Sequence, residues 1–121
     1  VVEWPSNFRD GYDVDLTERQ ICHEAHVSIN AYYIEAVRTA NKIADIIGVP
    51  PYRDDSVLFD AFLNAFYDGE DGLFRDGVNT EHKSFIGCVT AFGLGMCPSD
   101  KSREAILRMI DERGISEVSF F

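Results

Sequence analysis

Positive charge is what this chain most lacks. Eleven Lys and Arg stand against twenty-one Asp and Glu, a net charge of -10. Nucleic acid and anionic membranes are both gripped by basic surface, so neither is expected as a partner. Long apolar runs are missing too: nothing approaches the ~20 residues of a membrane helix. The opening VVEWPSNFRD has neither the basic region nor the apolar stretch of a signal peptide, so the sequence carries no address and leaves the compartment open. Cysteine is sparse and odd in number. Cys22, Cys88 and Cys97 form no C-x-x-C pair and lie in apolar or helical contexts, which predicts packing thiols rather than a disulfide frame. A G-x-S-x-G elbow and a phosphate loop are also absent.

What is present reads as one all-α domain over residues 1–121, 45% hydrophobic and 26% charged, with a modest core. Asp15 and Glu18 stand in capping-box spacing, and apolar residues recur every three or four positions from Ile21 to Ile47. They predict one long helix from Asp15, stopped by Gly48 and Pro50. A shorter helix follows, with Val57, Leu58, Ala61, Phe62, Ala65 and Phe66 on one face and its end at Gly69. The third, from Thr80 to Gly95, is apolar nearly all round from Phe85 to Leu94, the pattern of a helix buried on most sides. Ser99 caps the fourth, whose stripe is Ala105, Ile106, Met109 and Ile110 and whose stop is Gly114. The last residues, ISEVSFF, read as a short strand or the start of a further helix. Short connections make these helices antiparallel hairpins. Burying the third helix among only four invites self-association through exposed apolar helix faces.

The quartet Phe-Arg-Asp-Gly occurs twice, at Phe8–Gly11 and Phe74–Gly77. Each copy precedes a predicted helix, and alternating helices place both turns at the same end of the bundle: one two-helix unit used twice. The first loop gathers Trp4, Arg9, Asp10, Tyr12 and Asp13; the second offers Arg75, Asp76 and His82. Aromatic faces beside carboxylates and arginine are how proteins hold sugars, the rings stacking on C–H faces while charged groups bond hydroxyls. The plainer reading has Trp4 and Tyr12 as packing residues, Asp10-Gly11 as a turn and Asp15 as a helix cap. Asp10 and Asp76 on a shared rim could reach the roughly 5–10 Å separation of glycosidase carboxylates. Alternatively, each neighbouring Arg and Asp form a structural ion pair.

Two metal-like patterns fail on spacing. HEAH at His23–His26 sets its imidazoles at i and i+3, one residue short of H-E-x-x-H. DGEDGLFRDG has the acidity of a calcium loop but puts Tyr67 at its first ligand position. No metal is expected. His82 and Ser84, two residues apart, point in different directions on a helix and make a poor base and nucleophile.

Taken together, VVEWPSNFRDGYDVD, INAYYIEAVRTANKIADIIG, GLFRDGVNTEHKSFIGCVTAFGLGMCP and REAILRMIDERGI resemble successive blocks of the catalytic domain of bacterial alpha-L-rhamnosidases, in order and spacing, over nearly the whole chain. The resemblance implies a segment of an (alpha/alpha)6 toroid, about a third of the ring, with both turns on the substrate rim. It implies a carbohydrate partner, a rhamnose-containing glycoside, cleaved with inversion by a general acid and a general base, without a cofactor. Trp4, Arg9, Asp10, Tyr12, Asp13, Arg75, Asp76 and His82 would be substrate-binding. The family's acid-bearing loop would lie upstream of Val1 and its base downstream of Phe121, so no catalytic residue is assigned. Where family members commonly carry S-x-H-x-N, this chain has Ser84, Ile86 and Cys88, a departure that puts activity or specificity in doubt.

Overall fold

The computed structural model describes residues 25–113, and everything below refers to these. They form an all-α fold of four helices: α1 (Val27–Ile47), α2 (Asp55–Phe66), α3 (Phe85–Gly93) and α4 (Asp100–Arg113). Among the described residues there is no strand, only two isolated antiparallel bridges, His26 with Gly77 and Tyr67 with Phe74.

The long helix expected from Asp15 does not run unbroken through His26. That residue is extended, at φ -116 and ψ 133, and its main chain pairs with Gly77. The Val27 amide donates to the Asp76 carbonyl at 2.9 Å. A tertiary partner has claimed the backbone that the periodicity assigned to a helix, so Ala25 falls outside it. The far end stops at Gly48, as the sequence predicts.

α2 opens on Asp54, whose carboxylate accepts from the Ser56 amide at 3.0 Å. That bond satisfies one of the amides a helix start leaves free. α2 ends at Phe66, short of the expected Gly69, because the Arg75 amide takes the Phe66 carbonyl at 2.8 Å and turns the chain into a closed loop. α1 and α2 run antiparallel. Asn41, late in α1, bonds the Arg53 carbonyl and Asp55 at the start of α2, while Ala25 and Asn30 share an apolar cleft with Ala65 and Phe66.

α3 starts at Phe85 rather than Thr80. Ser84 is its cap, accepting from the Gly87 amide at 3.1 Å. The preceding residues are held non-helical by bonds to Asp76. Ser99 caps α4 as expected, its hydroxyl accepting from the Ser102 amide at 3.3 Å. Ile106 and Met109 are buried and Ala105 and Ile110 half-buried, so the predicted stripe faces inward.

α1 packs on α2 and α3, and α3 packs on α4. The core between them holds Val27, Ala31, Ile34, Phe62, Phe66, Phe74, Phe85, Cys88, Met96 and Ile106. Phe74 is fully buried, with ring centroids 5.7 Å from Phe62 and 5.5 Å from Tyr67. Cys88 and Cys97 are free. Burial pushes the Cys88 thiol up to about 11, so it stays protonated as a packing group.

Candidate functional site

The second Phe-Arg-Asp-Gly turn is the best-defined polar cluster in the described structure, and Asp76 is its centre. Asp76 is completely buried. Its Oδ1 accepts from the Ser84 amide at 2.9 Å and from the Ser84 hydroxyl at 2.6 Å, and its Oδ2 lies 2.7 Å from His82 Nδ1. Its own amide donates to the His82 carbonyl at 2.8 Å. A buried carboxylate is tolerable only when its lone pairs are engaged in this way.

This arrangement fixes the histidine. An ionised carboxylate can only accept, so Nδ1 carries the proton and donates. In the neutral ring Nε2 is then left as acceptor, on a side chain 47% exposed. Ser84 is in the opposite situation: its hydroxyl proton goes to Asp76 and its oxygen accepts from Gly87. Ser84 and His82 therefore meet on opposite oxygens of one carboxylate and form no nucleophile and base pair. The cluster can bind and orient a polar ligand, and it has no activated nucleophile.

Gly87 makes the cluster possible. A Cβ there would stand 2.9 Å from both Asp76 Oδ1 and Ser84 Oγ and 3.0 Å from Val27 Cγ1, so α3 can approach the carboxylate only without a side chain at that position.

Arg75 sits beside the cluster, not in an ion pair with Asp76. Its Nη1 lies 3.6 Å from Glu81 Oε1, and Glu81 is 83% exposed, so the pair contributes little. Arg75 Nε is buried without a hydrogen-bond partner among the described residues, an unspent donor at the edge of the turn. Of the residues singled out by sequence, Arg75, Asp76 and His82 are thus brought together. Asp76 is enclosed and presents no face to a ligand; what it does is hold the His82 ring in place. Trp4, Arg9, Asp10, Tyr12 and Asp13 lie outside the described residues, as does any separation between Asp10 and Asp76.

Sequence reading missed two things. Ser84 matters as a ligand of Asp76 and not as a helix-face residue; its place two residues after His82 gave the wrong geometry because both precede α3. His26 and Val27 also belong to the cluster through their main chain, which no side-chain motif announces. Ile86 and Cys88 are half-buried and buried, respectively, and Cys88 Sγ donates to the Phe74 carbonyl at 3.4 Å. Cys88 thus touches the turn only at its backbone, and no hydrogen bond among the described residues joins either residue to the Arg75, Asp76 or His82 side chains.

The neighbouring acidic loop holds lysine where the sequence suggested a failed calcium site. Lys83 Nζ lies 2.6 Å from Asp68 Oδ2 and 2.6 Å from Asp71 Oδ2. Lys101 Nζ donates to the Gly69 and Glu70 carbonyls at 2.8 and 2.7 Å. Gly72 closes this loop at φ +82, with the Lys101 carbonyl 3.1 Å from where a Cβ would be, so an L side chain is excluded twice over. Among the described residues no three His, Cys, Asp or Glu side chains converge as a metal site would require.

The Lys83 clamp has a pH signature. The bond from Lys83, helped by the Glu70 amide, holds the Asp68 carboxyl below its ordinary 3.8. Burial pulls the Lys83 ammonium down, but the bonds to Asp68 and Asp71 outweigh it and leave the group raised. A depressed carboxyl adds stability that is whole above 3.8 and is lost as pH falls through the lower folded value. Lys83→Met should therefore be less stable than wild type at neutral pH, and the gap should narrow below 3.8. Thermal melts across that acid range check this; a gap independent of pH would show that the clamp acts only by packing.

The cleft between α1 and α2 is a weaker candidate. It encloses about 160 Å³, is lined by Ala25, Asn30, Ile34, Leu58, Phe62 and Phe66 among others, and has no charged group. Ligand sites run to roughly 300–1,000 Å³ with convergent polar groups.

No family model matches this chain, and no curated protein or solved structure matches it significantly.

Proposed function

We propose that this chain is a segment of a glycoside hydrolase of the alpha-L-rhamnosidase type, contributing part of the rim that holds a terminal rhamnose. One observation carries the reading. The second Phe-Arg-Asp-Gly turn is fastened to the start of α1 through the Val27 and Asp76 main chains, so the loops entering α1 and α3 share one end of the fold. The turn that carries Arg75, Asp76 and His82 therefore lies at the end of the fold where α1 begins. The chemistry suits a polyol. His82 Nε2 accepts from a hydroxyl while Asp76 keeps the ring in place, and Arg75 donates. This segment supplies neither the general acid nor the general base, which belong to the intact parent, and it needs no cofactor.

The test is a titration of the isotope-labelled 121-residue chain with L-rhamnose, followed by NMR, beside an assay on an aryl alpha-L-rhamnoside. The expected result is weak binding, on the order of mM, with shifts at Arg75 and His82 that His82→Ala abolishes, and no turnover. Shifts confined to other regions would overturn the assignment of the rim, and turnover would overturn the division of labour.

A non-catalytic helical interaction module is the second reading. It is favoured by a different observation, a row of isoleucine and tyrosine that α1 leaves in solvent.

A further inference from the structure

α1 is apolar on two sides. Val27, Ala31, Ile34 and Val37 are buried against the rest of the fold, while Ile29, Tyr32, Tyr33, Ile43, Ile46 and Ile47 stand 49, 62, 41, 54, 82 and 65% exposed. At about 100° per residue these six, with Ala36 and Ala40, fall in one arc; Tyr33, at its edge, lines the cleft against α2 and its hydroxyl accepts from Arg53 Nη1 at 3.0 Å, while Ser28, at the same angle as Ile46, is buried. No charged residue lies within that arc; Thr39 is its exposed polar member, and Glu35 and Lys42 stand just outside one edge. A solvated helix face does not look like this.

The order of residues along the arc says what covers it. The row mirrors itself about position 38: Ile29 answers Ile47, Tyr33 answers Ile43, and Ala36 answers Ala40. A two-fold axis at that point would lay a second α1 antiparallel on the first. Ile29, Ile47, Tyr33 and Ile43 then meet their counterparts, Tyr32 and Ile46 fall opposite Ala44 and Asn30, and Ala36 and Ala40 sit at the centre, where two helix backbones come closest. The area reaches the lower end of specific interfaces, about 600 Å² from each partner. With about 150–250 Å² for a fully exposed side chain of this size, the exposed part of the row comes to roughly 700 Å². A standard interface takes about 800 Å² from each partner, and the largest apolar patch on a typical monomer is roughly 300–600 Å². The net charge of -10 opposes association in general, but the seam itself brings no carboxylate against another.

We propose that two copies of this chain pair through the exposed face of α1, antiparallel, about a two-fold axis at position 38. The pairing is independent of sugar binding, because the face lies on the helix flank and the polar cluster at the helix start.

Sedimentation equilibrium of the full 121-residue chain tests it. The expected species has twice the 13.6 kDa chain mass. Ile43→Glu, a change at an exposed position, should weaken the association tenfold or more while far-UV circular dichroism stays as in wild type, and should remove the concentration dependence of the melting curve. Orientation is read by crosslinking with Cys22 and Cys97 changed to serine. Ile29→Cys should crosslink to Ile47→Cys in a mixed sample and not to itself. A monomer at all concentrations, a dimer indifferent to Ile43→Glu, or self-crosslinking of Ile29→Cys would each overturn the proposal. Rhamnose shifts measured on the Ile43→Glu chain separate this result from the fate of the glycosidase reading.

Discussion

Asp76→Ala should cost about 3–5 kcal/mol, the most damaging polar substitution in the described structure. Its carboxylate is fully buried and receives the Ser84 amide, the Ser84 hydroxyl and His82 Nδ1. Removing it strands two donors in the interior, and each unsatisfied buried group costs about 1–3 kcal/mol. His82 is 47% exposed and can turn to water, so the loss comes chiefly from the two stranded Ser84 donors. Urea unfolding followed by circular dichroism gives the number. Asp76→Asn should lie between, since its amide keeps one acceptor oxygen and offers hydrogens where acceptors are needed. A loss below about 1 kcal/mol for Asp76→Ala would mean that the neighbours re-pair without it. Against a total of about 5–15 kcal/mol for a small domain, the expected loss leaves little of the fold.

The second large effect is at Phe74, the first residue of the same turn. It is fully buried between Phe62 and Tyr67, so Phe74→Ala should lose about 3–5 kcal/mol through lost burial and the cavity left behind. Phe74→Leu, which keeps most of the volume, should lose under about 1.5 kcal/mol. Equal losses for the two would point to the ring stacking itself rather than to filled space. The pair of predictions explains why the quartet is written as it is. Phe74 anchors the turn in the core, Asp76 ties it to α3, and Arg75 between them is left at the surface edge.

How much of this was legible beforehand depends on what each residue answers to. Caps and stops are local, so Ser99 and Gly48 were readable, as was the inward stripe of α4. The start of α1 was not, because His26 takes its conformation from Gly77, some fifty residues on. The same holds for Phe66, where Arg75 ends α2 early. On α1 the apolar residues do recur at helical spacing, but Ile29, Tyr32 and Tyr33 are exposed while Val27, Ala31 and Ile34 are buried. A helix apolar on two sides gives no sign in its sequence of which side the chain itself will cover. At the site, the motif named Arg75, Asp76 and His82 without revealing that one of them faces inward. Burial is a property of the assembled fold, and Asp76 became the hub because Gly87 lets α3 come within contact of it.

The bond between Val27 and Asp76 encloses the whole of α1 and α2 in a single loop of chain. Closing such a loop is an entropic expense that local helix formation does nothing to reduce. The bonds of Asp76 to His82 and Ser84, by contrast, join residues 6 and 8 apart in the chain. The long closure does not build that cluster; it seats it against the start of α1. Opening the loop should therefore release the turn from the helix pair as a local unit before it dissolves the arrangement around His82.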